Sequence, residues 1–283
     1  MTPTDLTITP RDRRFGRDRA APRHWLNGDP IATAFFNALS ITFPRGEAYF
    51  IDSVRAFRDG VPDRLAGEIA AFIRQEVVHS REHLAFNRQV TAQGYDVSRL
   101  DADVTMVLDL ARQRPPIASL AATMALEHFT AILAHELLCD SRHLEGADAE
   151  SAGLWRWHAI EEIEHKGVAH DTWVHATRDW PRFRRWWGRT AMMLVVTRHF
   201  LHHRARGMMD LLRQDGVTGR QAWGGLLHYA LVRPGILRRV VRPWLGYFLP
   251  GFHPWRTDDR ALIALADTPY ADARSDAPVP ATV

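Results

Sequence analysis

Glu162-Ile163-Glu164-His165 sets a carboxylate three residues before an imidazole, and Glu76-Val77-Val78-His79 makes the same step eighty-six residues earlier. On an α-helix, residues three apart lie one above the other, so each step aims an acid and a histidine in one direction. Single carboxylates at Glu47 and Glu127 precede the two steps by 29 and 35 residues. The order along the chain is therefore Glu, Glu-x-x-His, Glu, Glu-x-x-His.

The surrounding pattern is helical. Asp29-Pro30 reads as a helix start, Asp as N-cap and Pro in the first turn. A helix is expected from there to about Asp59, kinked or restarted at Pro44. A second runs from Pro62-Asp63 to Gly94, a third begins after Pro115-Pro116 and runs through Leu138, and a fourth spans about Glu150 to Thr177. Each carries a stripe at steps of three and four: Phe36, Ser40, Phe43, Glu47, Phe50 and Val54 on the first, and Ile69, Phe72, Glu76, His79, His83 and Phe86 on the second. Leu120, Met124, Glu127, Ala131 and Ala134 follow on the third, and Trp155, His158, Glu162, His165 and Ala169 on the fourth. Such spacing keeps a stripe on the side that faces a core.

In all four, apolar residues fill the ends of the stripe and an acid or imidazole interrupts the middle. Buried ionisable groups are costly unless paired or metal-bound. Two divalent cations would balance the four carboxylates, with both imidazoles neutral, and dinuclear carboxylate bundles place their ligands in this order. Eleven Glu and fifteen His in 283 residues give about 0.6 Glu-x-x-His steps by chance, so position on inward stripes carries the reading, not the motif. The expected metal ligands are Glu47, Glu76 and His79 for one ion and Glu127, Glu162 and His165 for the other, with one or two Glu bridging.

Composition fits a soluble globular chain: 46% hydrophobic and 24% charged residues. The one cysteine, Cys139, excludes an internal disulfide and a thiolate metal cage. No apolar run marks a secretory signal near the N-terminus, and the longest apolar stretch noted, Ala191 to Val196, is too short to span a membrane. A cytoplasmic placement is expected. Charge changes sign along the chain, from a net −6 over residues 1–177 to +11 over 178–260. The expected division is an N-terminal arm at 1–27, loosely docked or disordered, and a bundle at 28–177. A basic helical extension at 178–267 and a tail at 268–283 complete it. Arg mixed with Trp, Phe and Met in the extension suits peripheral contact with an anionic membrane better than base reading, so nucleic acid is not an expected partner. No phosphate loop, Gly-x-Gly-x-x-Gly or Gly-x-Ser-x-Gly is present.

Five segments carry a family resemblance: Phe36-Asn-Ala-Leu-Ser40, Phe43-Pro-Arg-Gly-Glu47, Gln75-Glu-Val-Val-His-Ser-Arg-Glu-His83, Ala125-Leu-Glu-His-Phe-Thr-Ala131 and Trp155-Arg-Trp-His-Ala-Ile-Glu-Glu-Ile-Glu-His-Lys166. Over about residues 24–260 the chain resembles a bacterial family labelled predicted metal-dependent hydrolase. Its ligand order also looks like that of the ferritin-like superfamily, which includes bacterioferritin and the ribonucleotide reductase small subunit. That resemblance implies an all-α, ferritin-like four-helix bundle with additional C-terminal helices and a non-haem diiron centre. The departure is a surplus of histidines, His83, His128 and His158.

His83 shares the face of Glu76 and His79, and His158 mirrors it four residues before Glu162, so each is a possible extra ligand or a packed core histidine. His128 points about 100° away from Glu127, and Glu161 and Glu164 face differently from Glu162. A solvated face is the ordinary place for such acids, with Glu161 the candidate for a bridging or supporting role. His79-Ser-Arg-Glu82-His83 also matches an inverted zinc-peptidase motif, with Glu82 as base, but that reading leaves Glu47, Glu127 and His165 without a role.

The favoured function is an O2-dependent oxidase or oxygenase using iron and an electron donor on a small, largely apolar substrate. Mixed Glu/His ligands and Phe36, Phe43, Phe50, Phe72 and Phe86 motivate it. The alternatives are a metal-dependent hydrolase using a metal-activated water, and a ferroxidase or iron-binding protein. Manganese and zinc are the alternative metals.

Overall fold

The computed structural model describes residues 2–16 and 21–271. Among these the chain is all-α, with eleven α-helices, no β-strand and one isolated bridging pair, Leu26 and Ala147.

The first expected helix is two. α1 (Pro30–Ser40) starts on Asp29, whose side chain accepts from Ile31 N at 2.7 Å. Pro44 has no N–H for the carbonyl of Ser40 and its ring crowds that carbonyl, so the chain breaks at Ile41-Thr42 and restarts as α2 (Phe43–Arg55). α3 (Asp63–Ala92) is continuous and carries Glu76, His79 and His83 near its middle. α4 (Ser98–Arg112) was not expected; only Leu100 and Leu108 of it are buried, too thin a stripe to stand out from sequence. α5 (Pro116–Cys139) is long and apolar enough, by length and composition, to cross a membrane, which corrects the reading of Ala191–Val196 as the longest such stretch. Here it is a mostly buried helix at the centre of the fold.

The fourth expected helix is also two, α6 (Ala149–His165) and α7 (Val168–Ala176). The break falls at Lys166-Gly167, where other segments pass close by. A Cβ on Gly167 would lie 2.6 Å from Thr2 Oγ1 and 3.1 Å from the Trp255 ring. Lys166 turns out of the stripe to donate to Thr257 O at 2.9 Å and to pair with Asp259. α8 (Arg182–Gln214), α9 (Gly219–Leu231), α10 (Ile236–Gly246) and α11 (Arg260–Ala271) complete the chain. Residues 272–283 of the expected tail lie outside the described residues.

α2 packs on α3 and α5 on α6, and contacts of α2 with α5 and of α3 with α6 bring the four around one centre. α8 crosses α1 and α5, α10 lies on α5, and α11 on α6. The apolar core falls into two clusters. One gathers Trp25, Phe36, Phe86 and Trp155, the other Phe50, Ile69, Phe72, Leu120 and Met124. The ionisable residues of the stripes occupy the level between them.

The described part of the N-terminal arm is docked, the first of the two expected alternatives, and parts of it are buried. Ile8 and Arg11 are buried, and Phe15 N donates to Glu82 at 2.9 Å. An acid paired in the core gives a short polar segment something to hold, which the composition of the arm does not reveal.

Candidate metal centre

Six side chains meet between the two apolar clusters: Glu47 from α2, Glu76 and His79 from α3, Glu127 from α5, and Glu162 and His165 from α6. All are buried. His165 Nε2 lies 3.3 Å from Glu76 Oε1, 3.3 Å from Glu127 Oε2 and 3.6 Å from Glu162 Oε2. His79 Nδ1 lies 4.0 Å from Glu76 Oε2 and 3.7 Å from Glu162 Oε1. Glu76 and Glu162 thus each turn one oxygen toward His165 and the other toward His79, and stand between two half-sites. Glu127 lies on the His165 side. Glu47 groups with Glu76 and His79, and also with His83 and His158.

Each histidine of the two Glu-x-x-His steps is held from behind. His79 Nε2 is 3.0 Å from Glu161 Oε2, and His165 Nδ1 is 3.0 Å from Gln75 Oε1. Gln75 Nε2 in turn donates to Glu164 Oε2 at 2.9 Å. Both lines of support end on Arg11, which donates to Glu161 through its backbone N at 2.9 Å and to Glu164 through Nη2 at 2.6 Å. Glu161 and Glu164 are therefore core residues, not a solvated face. Hydrogen bonds of this kind fix the ring orientation and tautomer of a ligating histidine. In the sequence Arg11 and Gln75 have no assigned role: Arg11 is one of six arginines in residues 1–27 and carries no local signal, and Gln75, four before His79, lies at the edge of the stripe.

His83 and His158 make a second, fully bonded line. Asn87 Nδ2 donates to Ser40 O, and Ser40 Oγ donates to Asn87 Oδ1 at 2.7 Å. The hydroxyl proton being spent, Ser40 accepts from His83 Nδ1 at 2.8 Å. His83 Nε2 then accepts from His158 Nδ1, and His158 Nε2 lies 2.7 Å from Glu162 Oε1. Neither ring has a free nitrogen. Glu82 is spent on Phe15 N and on Arg81 Nε at 2.7 Å, which removes it as the base of a zinc-peptidase motif. His128 is buried against Tyr247 and Phe252.

Eight atoms of the six residues are buried without any hydrogen-bond partner among the described residues: Glu47 Oε1, both oxygens of Glu76 and of Glu127, His79 Nδ1, Glu162 Oε2 and His165 Nε2. Buried polar atoms are nearly always paired, so eight converging orphans call for a ligand. Their charge state points the same way. Burial, reinforced by neighbouring carboxylates, pushes Glu47 and Glu76 well above the ordinary range. Burial lifts Glu127 to about 8 against the pull of His165. Glu162 is held well below: burial works against this, but His165 and His158 prevail. Burial drives His79 and His83 down, while Glu127 and Glu162 overcome burial to raise His165 to about 9. Without cations the cluster keeps protons; oxygen and imidazole donors in this number fit divalent cations in their place.

A second group, His170, Asp171 and His253, is also close enough to suggest a metal. It is a hydrogen-bonded knot instead. His253 Nδ1 accepts from Trp255 N at 3.1 Å, so Nε2 carries the proton that it donates to Asp171 at 2.9 Å. Thr2 Oγ1 donates to the other oxygen of Asp171 at 2.7 Å.

A cavity of about 570 Å³ lies among α2, α4, α5 and α8, with Glu47 in its wall. A chamber of about 50 Å³ touches Glu162 and His158. Phe43, Thr130 and Phe200 line both.

The fold and site define an all-α protein whose buried Glu/His cluster fits metal binding. The family described as predicted metal-dependent hydrolase matches residues 9–258, and the chain belongs to it. No curated protein and no solved structure matches the chain. The family overturns the expected O2-dependent oxidase or oxygenase, and with it the oxidoreductase assignment, in favour of the hydrolase alternative. Mixed Glu/His ligands serve both chemistries, which is why the donor set misled.

Proposed function

We propose that the chain is a hydrolase holding two divalent cations among Glu47, Glu76, His79, Glu127, Glu162 and His165. The eight unpartnered atoms carry this reading. The order Glu, Glu-x-x-His, Glu, Glu-x-x-His supports a ferritin-like placement of the pair, and iron, manganese and zinc all suit the donors. The ions would supply Lewis acidity, activating a water and polarising the bond to be cut.

The chain does the rest. Glu76 and Glu162 reach both half-sites and fix their separation. Glu161 and Gln75 keep Nδ1 of His79 and Nε2 of His165 aimed inward. Ser80 Oγ donates to Glu47 Oε2 at 2.7 Å, leaving Oε1 free beside the large cavity, through which substrate arrives. His158 is placed to hold a proton on the Glu162 side, backed by His83 and Ser40. The flanking aromatics, Phe43 and Trp155, keep bulk water from the centre.

Metal analysis of protein purified from supplemented cells should give two ions per chain. Zinc-, manganese- or iron-loaded protein should cleave para-nitrophenyl esters without oxygen, and lose that activity on chelation. Equal activity before and after complete chelation would overturn the reading.

A further inference from the structure

The large cavity has walls of one kind and a charge of another. Leu100, Val104, Leu108, Ala118, Ala122 and Met192 give it an aliphatic lining. Its polar groups come chiefly from α4 and α8, and most are already neutralised: Arg99 pairs with Asp210 at 3.5 Å and Arg206 with Asp103 at 3.3 Å. Arg204 is different. It is half-buried and lines the cavity, and among the described residues its only hydrogen bonds run from Nη1 to Ala38 O and to Thr42 Oγ1 at 2.8 Å. Nε and Nη2 are left over, and among the described residues no carboxylate pairs with it. Burial alone acts on it, pushing the guanidinium down to about 10. Beside it, the buried His203 Nδ1 also has no partner.

An uncompensated guanidinium in an aliphatic cavity is costly unless an anion visits it. Its anchor, Thr42, immediately precedes α2, and Glu47 follows five residues later, about 7.5 Å along the helix. The cation and the metal centre therefore open on the same cavity, close to each other. A volume of about 570 Å³ falls within the range of small-molecule sites.

We propose that this cavity holds a single aliphatic acyl chain whose carboxyl end lies at Arg204, which makes acyl esters or amides of medium-length chains the substrate class. The proposal rests on the hydrolase reading for its chemistry. Water's oxygen bonds to the acyl carbon and the bond to the alcohol or amine breaks. One water proton leaves with that group and the other is released to solvent, so the chain remains as a carboxylate facing Arg204. Arg204 is the specificity residue for the charged end, and the small side chains of Ala118 and Ala122 leave room for the chain.

Calorimetric titration of the protein as purified with dodecanoate, dodecanol and butyrate tests this. Dodecanoate should bind and butyrate should not. Arg204→Gln should weaken dodecanoate by about tenfold or more while leaving dodecanol unchanged. Ala122→Phe, growing into the cavity, should weaken both long-chain ligands, with Ala118→Leu as a second filling variant if the first does not melt like the parent. Undiminished dodecanoate binding in the filled variants, or an equal loss of dodecanol in Arg204→Gln, would overturn the proposal. So would cleavage of acetyl esters by a protein that binds no chain, which would leave the hydrolase reading intact. Chain binding with these mutational effects, but no hydrolysis with any metal, would remove the hydrolase reading and leave the chain site standing.

Discussion

The two Glu-x-x-His steps are alike in sequence and unlike in surroundings. His165 presents Nε2 inward and is backed by the neutral amide of Gln75; His79 presents Nδ1 and is backed by the carboxylate of Glu161. Two carboxylates stand 3.3 Å from the inward nitrogen of His165. His79 instead stacks on His158 with centroids 4.2 Å apart. One imidazole is raised to about 9 by its acids, and the other is driven down by burial, with His158 adding to the effect. Spacing places a side chain, but the residues four positions away and on the facing helix set its electronics.

The strongest way to break this comparison is to remove a residue that belongs to both halves. Glu76→Gln takes a charge from the oxygens that face His79 and His165 alike. It should abolish hydrolysis and cut bound metal by more than one ion per chain. Glu127→Gln touches only the His165 side and should leave one ion bound. Equal metal content in the two variants would mean that Glu76 does not bridge.

Arg11 sharpens the comparison from outside. It supports Glu161 behind His79, and Glu164, which reaches His165 through Gln75. Arg11→Ala strands two buried carboxylates, and should weaken metal binding by about 10–100-fold at both half-sites. Gln75→Leu should affect the His165 half alone, which competition with a chelator would resolve as one weakened ion out of two. A single, equal weakening in both variants would show that the supports are not separate.

The legible part of the molecule was the part written in helical periodicity. Glu47, Glu76, His79, Glu127, Glu162 and His165 stand on stripes of apolar residues, and the structure brings all six together. What supports them was illegible because it arrives from other segments. Arg11 reaches Glu164 across 153 residues, and Ser40 meets His83 across 43. The breaks at Thr42 and Gly167 differ in the same way: Pro44 announces the first, whereas the second answers Thr2 and Trp255, distant in sequence. α4 hid because its apolar side faces a cavity, so it buries little. The reaction was least legible, since acids and imidazoles that hold cations do not state what those cations do.

The smallest expected effect, and the one that reads the electrostatic difference directly, is the pH dependence of the metal-free protein. In an unfolded chain glutamate titrates near about 4.3 and histidine near about 6.5. In the fold, Glu161 is lifted to about 7, Glu127 to about 8 and His165 to about 9. Each holds its proton in the native state over a range where the unfolded chain has released it. Its contribution is fully present below the unfolded value and is lost as pH rises through the folded one. His79 and His83 are shifted down, so theirs runs the other way and is complete above about 6.5. Above that point His79 and His83 add no further change, and Glu161, Glu127 and His165 all act in one direction. The melting temperature in EDTA should therefore fall by several degrees between about pH 6.5 and 9, with Glu127 and His165, 3.3 Å apart, as the main source. Cations replace those protons and bind more tightly as pH rises, so the zinc- or manganese-loaded protein should melt higher and keep a flat profile. A metal-free protein that is equally stable across this range would show that the protons are not where the two half-sites put them.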